Sequence, residues 1–241
     1  MKIRVIVPAV TKEFEAMGLE QYSAGAHRDT EISVRILDKG PASIESRYDE
    51  AIAVPDVVRK VVEAEGDGVD AAIVDCMADP GVEAAREMVS IPVVGPAEAS
   101  YHAAAMLGHK FSVVTILESL APVIDGIITK AGLIRRLASV RAVNIPVLDL
   151  DDQARLIGAL VEQSVKAVTE DGAHVIVFGC TGFTGLSGKV EEGLGERDIV
   201  GVPVIDPAVL AVKVAEVFVA LGLSHSKRTY PAPPEKEIIG Y

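Results

Sequence analysis

The chain has 241 residues, of which 49% are hydrophobic, 4% are aromatic and none is tryptophan. This length allows one large or two small domains, and the composition is typical of sheets that helices cover on both faces. The formal net charge of −12 and the lack of a basic run argue against nucleic acid and anionic membranes as partners. Residues 1–8 lack a signal-peptide pattern, and no apolar run reaches the roughly 18 residues of a membrane span. We therefore expect a cytoplasmic protein with reduced cysteines.

Strand-like and helix-like segments alternate along the whole chain, a pattern that predicts βαβ units and parallel sheets. In the first half, strands are predicted at residues 2–7, 31–37, 71–75 and 91–94, and helices at 54–64, 82–89 and 97–107. In the second half, strands are predicted at 111–115, 137–143, 175–178 and 202–205, and helices at 123–131, 152–169 and 208–221. The tail, residues 224–241, is polar and proline-rich. It is expected either to be disordered or to pack on a neighbour.

The two halves share short sequence markers in the same order and at a nearly constant offset. These markers are Ser-Val-Arg at 33–35 and 139–141, cysteine at 76 and 180, and a Pro-Ala-terminated strand at 91–97 and 202–208. Such a repeat predicts an α/β fold of two similar Rossmann-like lobes with parallel sheets, related by pseudo-twofold symmetry, with the active site between them. We assign residues 1–97 and 207–241 to the first lobe and residues 98–206 to the second.

The only two cysteines follow equivalent buried strands. Cys76 and Cys180 each precede a glycine-containing loop that is expected to open a helix. Open α/β sheets bind ligands at this edge, and a helix N-terminus favours thiolate over thiol. Pseudo-twofold packing of the lobes would place the two thiols on opposite walls of one cleft. There are two alternative interpretations. The cysteines could form a disulfide, or each could serve only as a small apolar residue at the end of a buried strand.

Two facing thiols can invert a carbon centre, because one removes a proton and the other delivers a proton to the opposite face. Backbone N–H groups in the loops after the cysteines can stabilise the enolate oxygen that develops. This chemistry requires no cofactor. The five histidines lack metal-ligand spacing, and no nucleotide-binding glycine pattern follows the first strand, so we also predict no metal.

Several stretches, in order over nearly the whole chain, resemble the hydantoin racemases of the aspartate/glutamate racemase superfamily. They are residues 40–51, 75–81, 84–87, 91–99, 107–115, 138–141 and 179–182. The resemblance implies two α/β lobes, an interlobe active site, racemisation without a cofactor, and Cys76 and Cys180 as the acid/base pair. The chain departs from the family at residues 7–11, which lack the Asn side chains of many members, and at 181–183, where Thr-Gly-Phe replaces Ala-Gly-Met.

We accordingly predict a homo-oligomeric racemase that acts on a small molecule, a 5-substituted hydantoin or allantoin. Hydantoin is favoured over free amino acids because Met77-Ala78 replaces the Asn-Thr of amino-acid racemases. The alternatives are an aspartate/glutamate-type racemase, a single-cysteine isomerase or decarboxylase of the same superfamily, and a non-enzymatic small-molecule-binding protein. The predicted substrate-binding residues are Pro8, Ser43, Met77, Ala78, Thr115, Gly179, Thr181 and Gly182.

Three acidic residues near these segments have structural interpretations. Asp79 is predicted to cap the helix over 82–89, with Pro80 at its first position. Asp75 is expected to hydrogen-bond local backbone, since a negative neighbour would raise the pKa of the Cys76 thiol. Glu45, like Ser43, lies in a loop after a strand, where lining the cleft and forming the turn are both open.

Overall fold

The computed structural model describes residues 1–237, and it contains two four-stranded parallel sheets. The strands of the first sheet are β1 (Lys2–Val7), β2 (Glu31–Ile36), β3 (Ala71–Val74) and β4 (Val93–Val94). Those of the second sheet are β5 (Phe111–Thr115), β6 (Leu137–Ala142), β7 (Val175–Phe178) and β8 (Val204–Ile205). The helices are α1 (Glu13–Gly25), α2 (Arg47–Gly66), α3 (Val82–Met88), α4 (Pro96–Leu107), α5 (Ala121–Lys130), α6 (Gln153–Thr169), α7 (Ser187–Gly195) and α8 (Pro207–Ala220).

Both sheets have the same topology, as a duplicated unit requires. The strand order is β2-β1-β3-β4 in the first sheet and β6-β5-β7-β8 in the second. The central pairs also agree in register, with Ile3 opposite Ala71 and Phe111 opposite Val175. The predicted α/β fold class is therefore confirmed.

The strands that precede the cysteines are buried along their whole length. In β3, Ala71 and Ile73 pack in a cluster with α1 and α8, whereas Ala72 and Val74 pack in a cluster with α2 and α3. The residues of β7 alternate in the same way between two clusters of the second sheet. Because successive side chains of a strand point to opposite faces, an unbroken apolar run is the sequence of a doubly covered strand.

Two helices near the predicted lobe boundaries connect the sheets. Helix α4 packs on β7, and α8 packs on β3 and β4, while α4 and α8 also contact each other. These contacts support the division into residues 1–97 plus 207–241 and residues 98–206, which stays a prediction. Among residues 1–237, no helix is long and apolar enough to cross a membrane.

Helices α1 and α7 are absent from the sequence-based prediction. Only Gly18 and Tyr22 of α1 are buried, so this helix has no continuous apolar stripe. Helix α7 contains three glycines, which have poor helix propensity. Helix α2 begins at Arg47, well before the predicted residue 54, because the Ser46 side chain accepts a hydrogen bond from the Asp49 N–H and caps its first turn.

The predicted capping role of Asp79 is wrong for its own helix. The N-cap of α3 is Gly81, which has a left-handed φ of 74°, and Pro80 precedes the helix. The Asp79 carboxylate instead accepts hydrogen bonds from the Ala97 and Glu98 N–H groups, at 3.0 and 2.8 Å, at the start of α4. The side chain thus caps a helix that begins 17 positions further along the chain.

The start of the tail packs on the first lobe of the same chain, an arrangement that differs from both expectations. The Nζ of Lys227 donates to the carbonyl oxygens of Arg86 and Val89 at 2.7 and 2.6 Å, near the end of α3. The Nε2 of His225 lies 2.9 Å from both the N and the O of Val93 on β4. Since β4 is an edge strand, the tail occupies backbone groups that would otherwise be open to pairing. Residues 238–241 of the predicted tail lie outside the described residues.

Candidate active site

A cavity of about 550 Å³ is lined by residues from both lobes, at the ends of β1, β3, β5 and β7. All ten residues that the sequence singles out line this cavity. They are the two cysteines and Pro8, Ser43, Met77, Ala78, Thr115, Gly179, Thr181 and Gly182. The structure thus brings together side chains and backbone that are separated by more than a hundred positions, and their individual roles stay predictions.

Cys76 lies just after β3, in a tight turn. Its N–H donates to the carbonyl of Val74 at 2.8 Å, and its carbonyl accepts the N–H of Asp79 at 3.0 Å. This turn aims the N–H of Ala78 at the Cys76 Sγ, 3.5 Å away. The thiol is partly buried and faces the cavity.

Cys180 has an equivalent setting after β7. The carbonyl of Cys180 accepts the N–H of Phe183 at 3.2 Å, in a short 3-10 turn, and the N–H of Gly182 lies 3.3 Å from the Cys180 Sγ. The preceding Gly179 has no room for a side chain, because a Cβ there would lie 2.7 Å from the Cβ of Thr115. Both cysteines are free thiols, so the disulfide alternative is wrong.

The electrostatic setting of the thiols differs from the expectation that a helix N-terminus lowers their pKa values. Burial raises the pKa of the Cys76 thiol well above its usual value and raises the pKa of the Cys180 thiol to about 12. The N–H groups of Ala78 and Gly182 oppose this effect. Neither cysteine directly precedes a full helix, so one N–H group per sulphur does not outweigh the loss of solvent.

Asp75 also lines the cavity, but it does not bond local backbone as expected. Its carboxylate accepts a hydrogen bond from the Tyr22 hydroxyl of α1 at 2.6 Å. Burial raises the pKa of Asp75, while hydrogen bonds from Tyr22 and Thr181 act in the opposite direction. Asp75 therefore links α1 to the first cysteine loop.

Most of the apolar wall of the cavity has no marker in the sequence. This wall comes from α1, from the segment around α5 and from the loop before α6, and it includes Phe14, Met17, Leu120, Val123, Ile124, Leu148 and Leu150. None of these residues lies in a motif, and α1 itself was not predicted. Only the repeat of the cysteine-bearing strands marks this region in the sequence.

Glu45 connects the two lobes beside the cavity. Its carboxylate accepts the N–H of Val147 at 2.8 Å, from the short 3-10 helix Val147–Asp149 that carries Leu148 in the cavity wall. This contact of the Glu45 side chain matches neither of its two expected roles, lining the cleft or forming the turn. It is a bridge between lobes.

The fold and the cavity define a class of protein: a two-lobed α/β protein with a cavity between the lobes and one free thiol from each half facing it. Residues 3–215 match the model of the family described as Asp/Glu/Hydantoin racemase. The chain therefore belongs to this family, and the protein is an isomerase, a racemase. The resemblance and the prediction of an enzyme are confirmed, and the non-enzymatic alternative is wrong.

Individual relatives are similar to this chain along nearly their whole length. The chain is 40% identical to the hydantoin racemase of Pseudomonas sp. (strain NS671) over 243 residues, which cover 100% of this chain and 95% of that protein. Its structure is similar to that of an allantoin racemase from Pseudomonas fluorescens, with a TM-score of 0.91, 38% identity and 100% of each chain covered. An allantoin racemase from Klebsiella pneumoniae gives a TM-score of 0.90, 35% identity and coverage of 100% and 96%.

Proposed function

We propose that the protein racemises 5-substituted hydantoins, a class that includes allantoin, by proton transfer between Cys76 and Cys180. One cysteine thiolate removes the proton from the ring carbon that carries the substituent, and the thiol of the other cysteine donates a proton to the opposite face. The carbonyl next to that carbon acidifies its C–H bond. The names of the similar racemases support this substrate ring.

The observation that carries the proposal is the position of the two thiols. Cys76 and Cys180 follow equivalent strands of the two sheets, and both line the same cavity. Each sulphur also has a backbone N–H within hydrogen-bond distance, from Ala78 and Gly182. A substrate bound between the lobes is then approached by one thiol from each side.

The two roles need opposite protonation states, and burial by itself favours the thiol in both cysteines. The first step needs a thiolate, which the N–H groups of Ala78 and Gly182 favour because they donate to the two sulphurs. Both residues also line the cavity, and backbone N–H groups of the cysteine loops can stabilise an enolate oxygen there. The second step needs a thiol, and burial keeps the cysteine that is not acting as base protonated. No cofactor is needed for either step.

The apolar wall bears on the substituent of the substrate. Phe14, Met17 and Leu148 line the cavity together with other aliphatic side chains. An alkyl or aryl group at the 5-position gains free energy from contact with this wall, whereas the ureido group of allantoin would lose hydrogen bonds to water there. We therefore propose that hydantoins with apolar 5-substituents are better substrates than allantoin.

The proposal is tested with single enantiomers of several 5-substituted hydantoins, allantoin, aspartate and glutamate in deuterated water. Optical rotation and the NMR signal of the Cα–H are followed together. The wild-type protein should racemise the hydantoins with uptake of deuterium. Cys76→Ser and Cys180→Ser should each reduce racemisation by about 10²- to 10⁴-fold, the range typical of an acid/base group.

The two serine variants also control for each other. Each retains one thiol, so each should still exchange the Cα proton of one enantiomer with solvent, and the preferred enantiomer should differ between them. Racemisation at the wild-type rate after replacement of either cysteine would contradict the two-thiol mechanism. Wild-type protein dialysed against a chelator should keep its activity.

Two further features of the protein are proposals. The first is the location in the cytoplasm, where cysteines are ordinarily reduced. The homo-oligomer stays a prediction, and sedimentation of the purified protein tests it.

A further inference from the structure

The loops that follow the two cysteines share two backbone features. In each loop the cysteine carbonyl accepts an N–H from three residues further on, at 3.0 Å from Asp79 and at 3.2 Å from Phe183. Each loop then reaches a left-handed glycine five positions after the cysteine, Gly81 with φ 74° and Gly185 with φ 83°. The repeat therefore extends from the strands into the loops that hold the thiols.

In the first lobe, a carboxylate ties this loop to the next helix. Asp79 lies in the loop itself, in the left-handed region with φ 49°, a conformation that L-residues other than Asn and Asp rarely adopt. Its two oxygens accept the N–H groups of Ala97 and Glu98, which are unpaired donors of the first turn of α4. The loop carrying Cys76 is thus fixed to α4.

In the second lobe, a carboxylate makes the same connection from the opposite end. Asp206 is the N-cap of α8, and one of its oxygens accepts the N–H groups of Ala208 and Val209 at 3.1 and 3.4 Å. Its other oxygen accepts the N–H of Gly185 at 2.7 Å, in the loop that carries Cys180. The Thr184 hydroxyl also donates to Asp206, at 3.2 Å.

In the first lobe, the two arrangements exclude each other. Gly95 occupies the position of the first repeat that Asp206 occupies in the second, and its backbone dihedrals are nearly the same, −97° and 124° against −87° and 112°. A Cβ at Gly95 would lie 2.4 Å from the Cγ of Asp79. The first lobe therefore has room for one carboxylate at this place, and it comes from the loop, whereas in the second lobe it comes from the start of the helix.

We propose that Asp79 and Asp206 are matching positioning residues, which hold the loops of Cys76 and Cys180 so that each sulphur faces the substrate and its backbone N–H donor. The proposal rests on the function proposed above, in which both thiols transfer protons. Neither carboxylate lines the cavity, so neither is a catalytic residue. Each acts through its loop, because the turn that it fixes also sets the direction of the N–H of Ala78 or Gly182.

The test moves the carboxylate of the first lobe to the position used in the second. Four proteins are compared: wild type, Asp79→Gly, Gly95→Asp, and the variant with both substitutions. Glycine suits the left-handed conformation of residue 79 and leaves space for a side chain at 95. An aspartate there, with the dihedrals of Asp206, can reach the N–H groups of Ala97 and Glu98 and the N–H of Gly81, as Asp206 reaches its own three partners.

The main measurement is independent of any substrate. The alkylation of Cys76 and of Cys180 by iodoacetamide is followed by peptide mass spectrometry in the same sample, together with the kcat of racemisation and the thermal midpoint. Asp79→Gly should raise the alkylation of Cys76 relative to Cys180 by about threefold or more, since a freed loop exposes its thiol. It should lower kcat by about tenfold to a hundredfold, the effect of a small misplacement of a reacting group.

Recovery by the second substitution is the decisive result. Gly95→Asp should be harmful in the wild-type background, because of its contact with Asp79, and beneficial in the Asp79→Gly background. There, Cys76 reactivity and kcat should return toward their wild-type values. Recovery of the thermal midpoint without recovery of Cys76 reactivity would overturn the proposal, because Asp79 would then be only a helix cap. If the wild type racemised none of the substrates, this would count against the proposed function. The alkylation result would still decide whether Asp79 positions the loop of Cys76.

Asp206→Asn is the matched control in the other lobe, and it decides the question if the double variant does not fold. Asn keeps one oxygen for Ala208 and Val209 but presents an NH2 group to the N–H of Gly185. This variant should alter the alkylation of Cys180 and leave that of Cys76 unchanged, whereas Asp79→Asn should do the reverse. Equal effects of both variants on both cysteines would overturn the proposal.

Discussion

Gly179 connects β7 to Cys180, and its lack of a side chain is a packing requirement. A Cβ at this position would lie 2.7 Å from the Cβ of Thr115 and 2.9 Å from a methyl of Val113, both on β5. Gly179→Ala should therefore lower the free energy of unfolding by about 1–3 kcal/mol, the usual cost of inserting a methyl group into a packed interior. Urea denaturation measures this change.

Gly158 provides the control, since it is exposed in the middle of α6 and a Cβ at this position would have no neighbouring atom within 4 Å. Gly158→Ala should raise the free energy of unfolding by about 0.5–1 kcal/mol, because alanine is the better helix former. Equal stability of Gly179→Ala and the wild type would show that β5 yields to the added methyl group.

At the residue scale, functional residues that recur in both halves can be identified from the sequence, whereas residues that hydrogen-bond over a long sequence separation cannot. Cys76 and Cys180 are identified because a chemically reactive residue recurs after a buried strand in both halves. The hydrogen bonds of Asp75 to Tyr22 and of Glu45 to Val147 join residues 53 and 102 positions apart, and no local pattern marks either pair. Such contacts depend on the packing of whole elements, which a single sequence does not specify.

At the scale of elements, the tail depends on a neutral histidine. Burial, followed by the charge of Arg86, lowers the pKa of His225 to about 4, below the value of about 6.5 in an unfolded chain. The tail contacts of His225 are therefore fully stabilising above pH 6.5 and are lost as the pH falls toward 4. Hydrogen exchange of residues 224–230 should show protection that falls by up to about tenfold per pH unit in this range, after correction for intrinsic rates.

Two substitutions separate His225 from other titrating groups. His225→Gln should remove the pH dependence of tail protection, because glutamine does not titrate. His102→Gln should keep the wild-type dependence, since His102 is exposed on α4 and its ring hydrogen-bonds to the Glu98 carbonyl of the same helix. Tail protection that is the same at pH 7 and pH 4.5 in the wild type would contradict the prediction.

The strands that precede the cysteines were predicted correctly because of one property. Strands such as β3 and β7 are buried on both faces, and their apolar residues are contiguous in the sequence. Helix α1 was missed because it rests on the first sheet through few buried residues and exposes Met17 and Leu19. The same helix supplies part of the cavity wall. Its residues were therefore missing from the predicted site for the same reason that the helix was missing from the predicted fold.

At the scale of the whole molecule, the relative position of the lobes determines the cavity, and contacts between lobes outside the sheets hold that position. The Glu45 carboxylate and the N–H of Val147 form one such contact, and the ion pair of Lys130 with Glu83 forms another. The repeat in the sequence indicates two lobes but contains no information about these contacts. Each contact joins a loop or helix of one half to a different element of the other half.

The two interlobe contacts should differ in their effect on substrate binding. Glu45→Ala removes the acceptor of a hydrogen bond between a charged group and a partly buried backbone N–H, an interaction worth about 1.5 kcal/mol or more. If this contact holds the lobes closed around the substrate, the KM of racemisation should rise by about tenfold, the equivalent of that energy, while kcat changes less. Glu83→Ala is the matched control, because the Lys130 and Glu83 side chains are 67% and 53% exposed and such pairs contribute about 0–1 kcal/mol. Steady-state kinetics of both variants on the same hydantoin decide the question, and an equal KM for the two would mean that Glu45 does not control closure.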